Sequence, residues 1–243
     1  MNAVIKAEVQ RRGITRLCHF TPSRNLGQIL IGNVGILATR KLKDNERSIY
    51  APTDLARLDG LADHICCTIE YPNAWYFDKA RAKEVLFKDW VVLLIDPKYL
   101  WVKGTRFSSR NAAAAFGADV AEGEAAFQKI FADTTVGAYG KTFVRSVQRL
   151  DSCPTDEQAE VLVPDTISIA NIIGVAVQSD AQARNEMVRI QLLKVPQPVQ
   201  DRLRFVVAPD LFDKYQLSSS LKLGRRPEEK PFDKDCFSEG EDG

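Results

Sequence analysis

Apolar positions along the chain follow two rhythms, and each predicts its own kind of element. Leu26, Ile29 and Leu30 recur at helical spacing, which predicts a helix with Pro22 as its first residue after Thr21 and a stop at Gly32. Residues 2–12 predict a short helix. Residues 123–133 (GEAAFQKIFAD) predict an amphipathic one, and "YAPTDLARLDG" a capped helix starting near Thr53. Strand-like runs occur at 16–20 (RLCHF) and 64–70 (HICCTIE). The run at 89–96 (DWVVLLID) is continuously apolar, which predicts a buried strand. Later, 159–165, 172–178, 187–193 and 204–209 read as short strands, with a short helix near 180–186. Helices cluster in the first half and strands in the second, so the expected class is α+β rather than a regular βαβ alternation.

Composition narrows the picture only slightly. The chain has 243 residues, of which 45% are hydrophobic and 27% charged, ordinary values for a globular protein. No stretch approaches the roughly 18 uninterrupted apolar residues of a membrane span, and "MNAVIKAEVQRRG" has no apolar signal core. Five scattered cysteines, Cys18, Cys66, Cys67, Cys153 and Cys236, fit a reducing cytoplasm better than a disulfide framework. No CxxC pair occurs, so buried or half-buried thiols are expected, not a metal site. Neither GxGxxG nor GxxxxGK[ST] is present.

Charge is uneven. Residues 1–60 hold ten basic and five acidic groups, whereas 224–243 hold four basic and seven acidic. The basic third either faces a polyanion or forms a solvated surface. The acidic end predicts a disordered tail from 223 to 243 behind a single domain at 1–222.

Few residues carry candidate chemistry. His19, one of two histidines, lies at a strand end before a helix N-terminus, a place suited to an anionic or ribose-bearing ligand or to a half-buried structural histidine. Arg57 can pair with Asp54 on its own helix. Trp75 and Tyr76 are candidates for core, pocket wall or a base-stacking surface. Glu160, in "QAEVLV", is by itself an ordinary glutamate at a strand start.

Three blocks taken together say more. "HFTPSRNLGQILIGNVGIL", then "RSIYAPTDLAR", then "QAEVLV" resemble, in order and spacing, the DarT family of NAD-dependent nucleic-acid ADP-ribosyltransferases. The first block is similar to that family's histidine–x–threonine followed by an Asn–Leu helix. The second is similar to the loop and helix bearing its catalytic arginine, and the third to its catalytic glutamate at a strand start. The resemblance covers roughly residues 16–180. It implies an ADP-ribosyltransferase-like split β-sheet core with helices and an NAD cleft between the sheets.

The resemblance also implies roles. His19, Thr21, Asn25 and Leu26 would bind NAD or shape its pocket, and Arg47 and Tyr50 would lie on a loop over it. Arg57 and Glu160 would be catalytic, with Trp75, Tyr76 and Gln158 facing the acceptor. NAD is then a co-substrate, with no metal. The acceptor would be a base of single-stranded DNA, with RNA possible, and the chain a cytoplasmic toxin of a toxin–antitoxin or anti-phage system, partnered by a macrodomain antitoxin. Two departures leave the target base open. "DHICCTIEYPNAWYF" stands where the family has His–Asp–Tyr–Val–Pro–Phe, and the family's Trp–Tyr ending is absent. Gln158–x–Glu160 also resembles the signature of protein-modifying relatives. The alternatives are therefore transfer to RNA or protein, or a catalytically inert nucleic-acid-binding module.

Overall fold

A computed structural model describes residues 1–31, 34–44, 57–137 and 140–233. The first half contains α1 (Ala3–Arg12), β1 (Leu17–Pro22), α2 (Ser23–Ile31), β2 (Ile36–Leu37), α3 (Thr39–Asp44), β3 (His64–Ile69), α4 (Ala74–Lys83) and β4 (Trp90–Ile95). Then come β5 (Arg106–Ser108), β6 (Ala121–Glu122), α5 (Glu124–Lys129), β7 (Thr134–Val136), β8 (Thr142–Val144), β9 (Glu160–Pro164) and β10 (Thr166–Ile167). The chain continues through β11 (Ile172–Val177), α6 (Asp180–Leu192), α7 (Gln197–Arg202), β12 (Phe205–Val207), α8 (Lys214–Lys222) and β13 (Lys230–Pro231).

The main sheet runs β13-β12-β11-β4-β1-β3-β9-β5-β6, and it is forked. β1 pairs with β4 along its whole length, from Leu17 opposite Ile95 to Pro22 opposite Trp90. Its pairing with β3 covers only Leu17–Ile69 and Cys18–Thr68. Beyond Cys18 the strands part. β3 continues against β9 from Cys67–Val161 to His64–Pro164. Two half-sheets therefore share a short seam, the split core that the family resemblance implies.

β4 explains why its sequence is apolar throughout. Val91, Leu93 and Ile95 join the core with Leu17, Leu26 and Val175, whereas Trp90, Val92 and Leu94 join a second core with Phe77 and Phe212. Alternate side chains point to opposite faces, and both faces are covered. Each fully buried aliphatic side chain contributes about 1.5–3 kcal/mol, so this strand anchors both layers.

Several expected boundaries move. Pro22 is the last residue of β1, not the first of a helix, and α2 begins at Ser23. The predicted strand at 187–193 is the second half of α6, which also absorbs the short helix near 180–186. Ser179 caps that helix, and Ala183, Glu186 and Ile190 are buried at helical spacing while Leu192 is exposed. The helix expected over 123–133 ends at Lys129. Residues 58–60, expected as helix, form a turn, and 53–56 lie outside the described residues.

Residues 224–233, expected as part of the tail, pack against the domain. Lys230 and Pro231 add an edge strand opposite Val207 and Val206. Arg16 donates to Glu229, and Arg226 reaches the buried Glu70 at 3.3 Å. Glu70 also accepts from the backbone N–H and hydroxyl of Thr15. Residues 234–243 lie outside the described residues. Part of the basic excess of the first sixty residues is neutralised in this way, through Arg16–Glu229, Arg24–Glu84 and Lys41–Asp165. The 224–233 segment therefore belongs to the fold. Glu229→Ala should lower stability by about 1–3 kcal/mol, because it strands a largely buried guanidinium. Glu228, on an exposed pair with Lys230, should tolerate the same change within about 0.5 kcal/mol. Equal melting temperatures for the two variants would show that the segment is only draped on the surface.

Candidate active site

The fork in the sheet opens a cleft of about 1260 Å³, part of it open to solvent. β1 lines it with Cys18–Thr21, β3 with His64–Thr68, and β9 with Glu160. Arg57 and Asp59 close one side, and Asn73, Tyr76 and Lys83 of the α4 segment another. The predicted residues His19, Thr21, Asn25, Arg57, Tyr76 and Glu160 thus converge on one cavity.

Glu160 is the first residue of β9, opposite Ser108 of β5. The turn after β5 folds back over it. Asn111 Nδ2 donates to one carboxylate oxygen at 3.2 Å and the Ala112 N–H to the other at 3.1 Å. Both oxygens are oriented, and the residue is 8% exposed. Nearby Cys66 is no rival nucleophile. Burial pushes its thiol well above the ordinary 9.0, and the charges of Glu160 and Asp59 push the same way, so it stays protonated at neutral pH.

His19 sits where the β1–β3 ladder stops. Its Nδ1 lies 2.8 Å from Cys66 O. A carbonyl only accepts, so Nδ1 carries the proton. Burial lowers the imidazole below its ordinary 6.5, opposed by that bond and aided by the Arg57 cation. The ring is therefore neutral near pH 7, and Nε2 is an acceptor. Thr21 accepts from Asn25 Nδ2 at 2.9 Å. The pair is buried and links β1 to α2.

The depressed His19 value predicts a pH effect. Between the folded value and 6.5 the unfolded chain binds more protons, so stability rises with pH there and is lost as pH falls below about 6.5. Asp156 acts with opposite sign, because burial raises its carboxyl to about 6. The difference between wild type and His19→Gln isolates His19. The gap between urea midpoints at about pH 7.5 and about pH 5.5 should be wider in wild type. Equal gaps would exclude a neutral buried imidazole.

Arg57 is held in a left-handed conformation, φ 38°. Its guanidinium pairs with Asp59 through Nε at 3.1 Å and Nη2 at 3.0 Å. It also donates to His64 O at 2.8 Å and to Leu61 O. The partner is thus Asp59, two residues on; Asp54 lies outside the described residues.

Other predicted residues do not meet in the cleft. Leu26 is fully buried in the main core. Trp75, about 100° around the helix from Tyr76, faces α8. Its Nε1 donates to Glu157 at 3.3 Å, and its ring meets Tyr215 edge-on. Gln158 lies in the turn before β9, its N–H bonded to Asp156. Arg47 and Tyr50 lie outside the described residues. Sequence reasoning missed Asp59, Asn73, Asn111 and Ala112. "RLDG" and "SSRN" are loop signals, and neither contains a cue to the residue it would touch.

Residues 18–212 match the family model described as "ssDNA thymidine ADP-ribosyltransferase, DarT". Among solved structures the chain is similar to Thermosipho africanus DarTG in complex with ADP-ribose, at 14% identity and a TM-score of 0.52, covering 82% of this chain and 51% of that one. It is also similar to Thermus sp. 2.9 DarT in complex with ADP-ribosylated ssDNA, at 14% identity and a TM-score of 0.51, covering 82% and 97%. The same Thermus protein in complex with NAD+ aligns at 17% identity and a TM-score of 0.49, again over 82% and 97%. No curated protein matches. At these identities the likeness to the first two structures shows a shared fold.

Proposed function

This chain belongs to the DarT family of single-stranded-DNA thymidine ADP-ribosyltransferases, and from that premise we propose that its cleft moves ADP-ribose from NAD to a thymine of single-stranded DNA. The observation that carries the reading is the convergence of His19, Thr21, Arg57 and Glu160 on one cavity at the fork of the sheet.

The residues present fit a dinucleotide. The His19 Nε2 acceptor suits a ribose hydroxyl, and a buried amide on Asn73 has a donor with no partner among the described residues. NAD supplies the ADP-ribosyl group, with nicotinamide as leaving group. Rupture of that glycosidic bond builds positive charge on the ribose. Glu160 opposes it with a carboxylate whose orientation is already set, so no reorganisation is needed as the charge develops. The carboxylate can also take the proton of the attacking ring nitrogen. Arg57 positions the diphosphate or the acceptor through a guanidinium whose plane is fixed. In a duplex the ring N–H of thymine faces its pairing partner, which makes the single strand the reactive form.

The biological role is part of the proposal. An enzyme that modifies DNA bases harms its host, so the chain is read as a cytoplasmic toxin neutralised by a macrodomain antitoxin that removes ADP-ribose. The likeness to Thermosipho africanus DarTG supports this partnership. No helix among the described residues is long and apolar enough to cross a membrane.

The test is incubation of the purified chain with NAD and separate pools of single-stranded DNA, duplex DNA and RNA, followed by mass spectrometry. A mass gain on thymine-containing single strands is the expected result. A gain on RNA alone would move the target to transcripts, and intact NAD in every pool would overturn the activity.

A further inference from the structure

We propose that Asn73 is the donor that recognises an amide or imide carbonyl on a planar six-membered ring in the cleft, either the nicotinamide carboxamide or a carbonyl of the target pyrimidine. The ligand's identity rests on the proposed NAD chemistry; the donor itself rests on geometry.

Asn73 is 1% exposed and lines the cleft. It is the N-cap of α4, and its Oδ1 accepts the Tyr76 N–H at 3.0 Å. That bond fixes which way the amide points. Nδ2 is the other arm; it is buried and has no hydrogen-bond partner among the described residues. Leaving such a donor unpaired costs about 1–3 kcal/mol, and buried polar groups in folded proteins are otherwise nearly all satisfied. The helix cap does not explain the cost. Asp and Ser cap helices as well as Asn does, and Asp also suits the positive end of the helix dipole better. What Asn adds is the donor.

The surroundings indicate what the donor meets. Tyr76 and Phe20 also line the cleft, with ring centroids 6.1 Å apart and planes at 51°. Aromatic walls beside a fixed donor suit a flat ring bearing a directed acceptor. The stretch that carries Asn73 is the one in which this chain departs from its family's usual sequence. A donor fixed here pairs with a carbonyl, which accepts its N–H, and rejects an exocyclic amino group. If the ligand is the acceptor base, it therefore favours thymine over cytosine at that position.

The test uses two variants that keep the cap, Asn73→Asp and Asn73→Ser, in the full chain. Ligand-observed NMR titrations with free nicotinamide and with thymidine monophosphate report the site directly. KM for NAD, measured as hydrolysis without DNA, and KM for a thymine-containing oligonucleotide report it during turnover. Asn73→Ser, which removes the unpaired donor, should melt no lower than wild type, and Asn73→Asp lower because it buries a carboxylate; both should weaken one probe by about tenfold, with the matching KM rising in step. Loss of nicotinamide assigns the leaving group, and loss of thymidine monophosphate assigns the base. Unchanged binding of both probes in both variants, or no binding of either to wild type, overturns the proposal. A wild type that binds a probe through Asn73 yet leaves NAD intact overturns the activity and keeps the site. A wild type that modifies DNA at rates both variants match does the reverse.

Discussion

Glu160→Gln should fold like wild type and transfer ADP-ribose about 10²–10³-fold more slowly, the scale expected when one preorganised charge is removed from a developing transition state. The substitution keeps size and shape. Gln Oε1 can still accept the Ala112 N–H, the bond that Glu160 makes at 3.1 Å. Its amide then faces Asn111 Nδ2, donor against donor. Rotating the Asn111 amide relieves this and gives up the bond it makes to the Ala113 N–H. The structural cost is one hydrogen bond, about 1 kcal/mol. The chemical cost is larger, because a neutral amide neither opposes positive charge on the ribose nor takes a proton. KM for NAD should change little, since the charge develops after binding. Expressed alone, the wild type should arrest growth and the variant should not. Wild-type-like transfer by the variant, in the oligonucleotide mass assay, would remove Glu160 from the mechanism.

The sequence made the framework of this site readable where a pattern was local. The unbroken apolar run of β4 reflects burial on both faces, and β1, β3 and β9 lie within a residue or two of their expected ends. It misled where one rhythm mimicked another. Met187 to Leu193 is rich in branched apolar residues, and the period-2 reading ignored that Ala183, Glu186 and Ile190 already mark a buried helical stripe. Neighbours in sequence also proved poor guides to neighbours in the cleft. Gln158 and Glu160 would share a face only if both were in the strand, and the strand begins at Glu160. Trp75 and Tyr76 are adjacent on a helix and so diverge. What orients Glu160 arrives from Asn111 and Ala112, nearly fifty residues upstream, and one sequence carries no mark of that meeting.

Arg57 and Asp59 illustrate the same limit and support the second large effect. A helical reading pairs Arg57 with a residue one turn away. The structure instead places it at φ 38°, a conformation that costs a non-glycine residue about 1–3 kcal/mol, and turns its guanidinium onto Asp59, Leu61 O and His64 O. Asp59 is the anchor, with its side chain 3% exposed against 10% for Arg57. Asp59→Ala would leave a buried cation without its partner, at about 3–5 kcal/mol and a melting temperature roughly 6–20 °C lower. Arg57→Lys keeps the charge but not the fork that reaches three acceptors at once. Transfer should fall about 100-fold, as displacement of a positioning group commonly costs. The decisive comparison is of rates, below the melting point of each protein. If Asp59 acts by holding Arg57 over the cleft, Asp59→Ala should be nearly as slow as Arg57→Ala, and the double variant no slower than either. Independent, multiplying losses would mean that Asp59 touches the reaction by itself. Near-wild-type transfer by Asp59→Ala would mean that the Arg57 fork is a strut of the fold, and the burden of positioning would shift to His19 and Asn73 across the cleft.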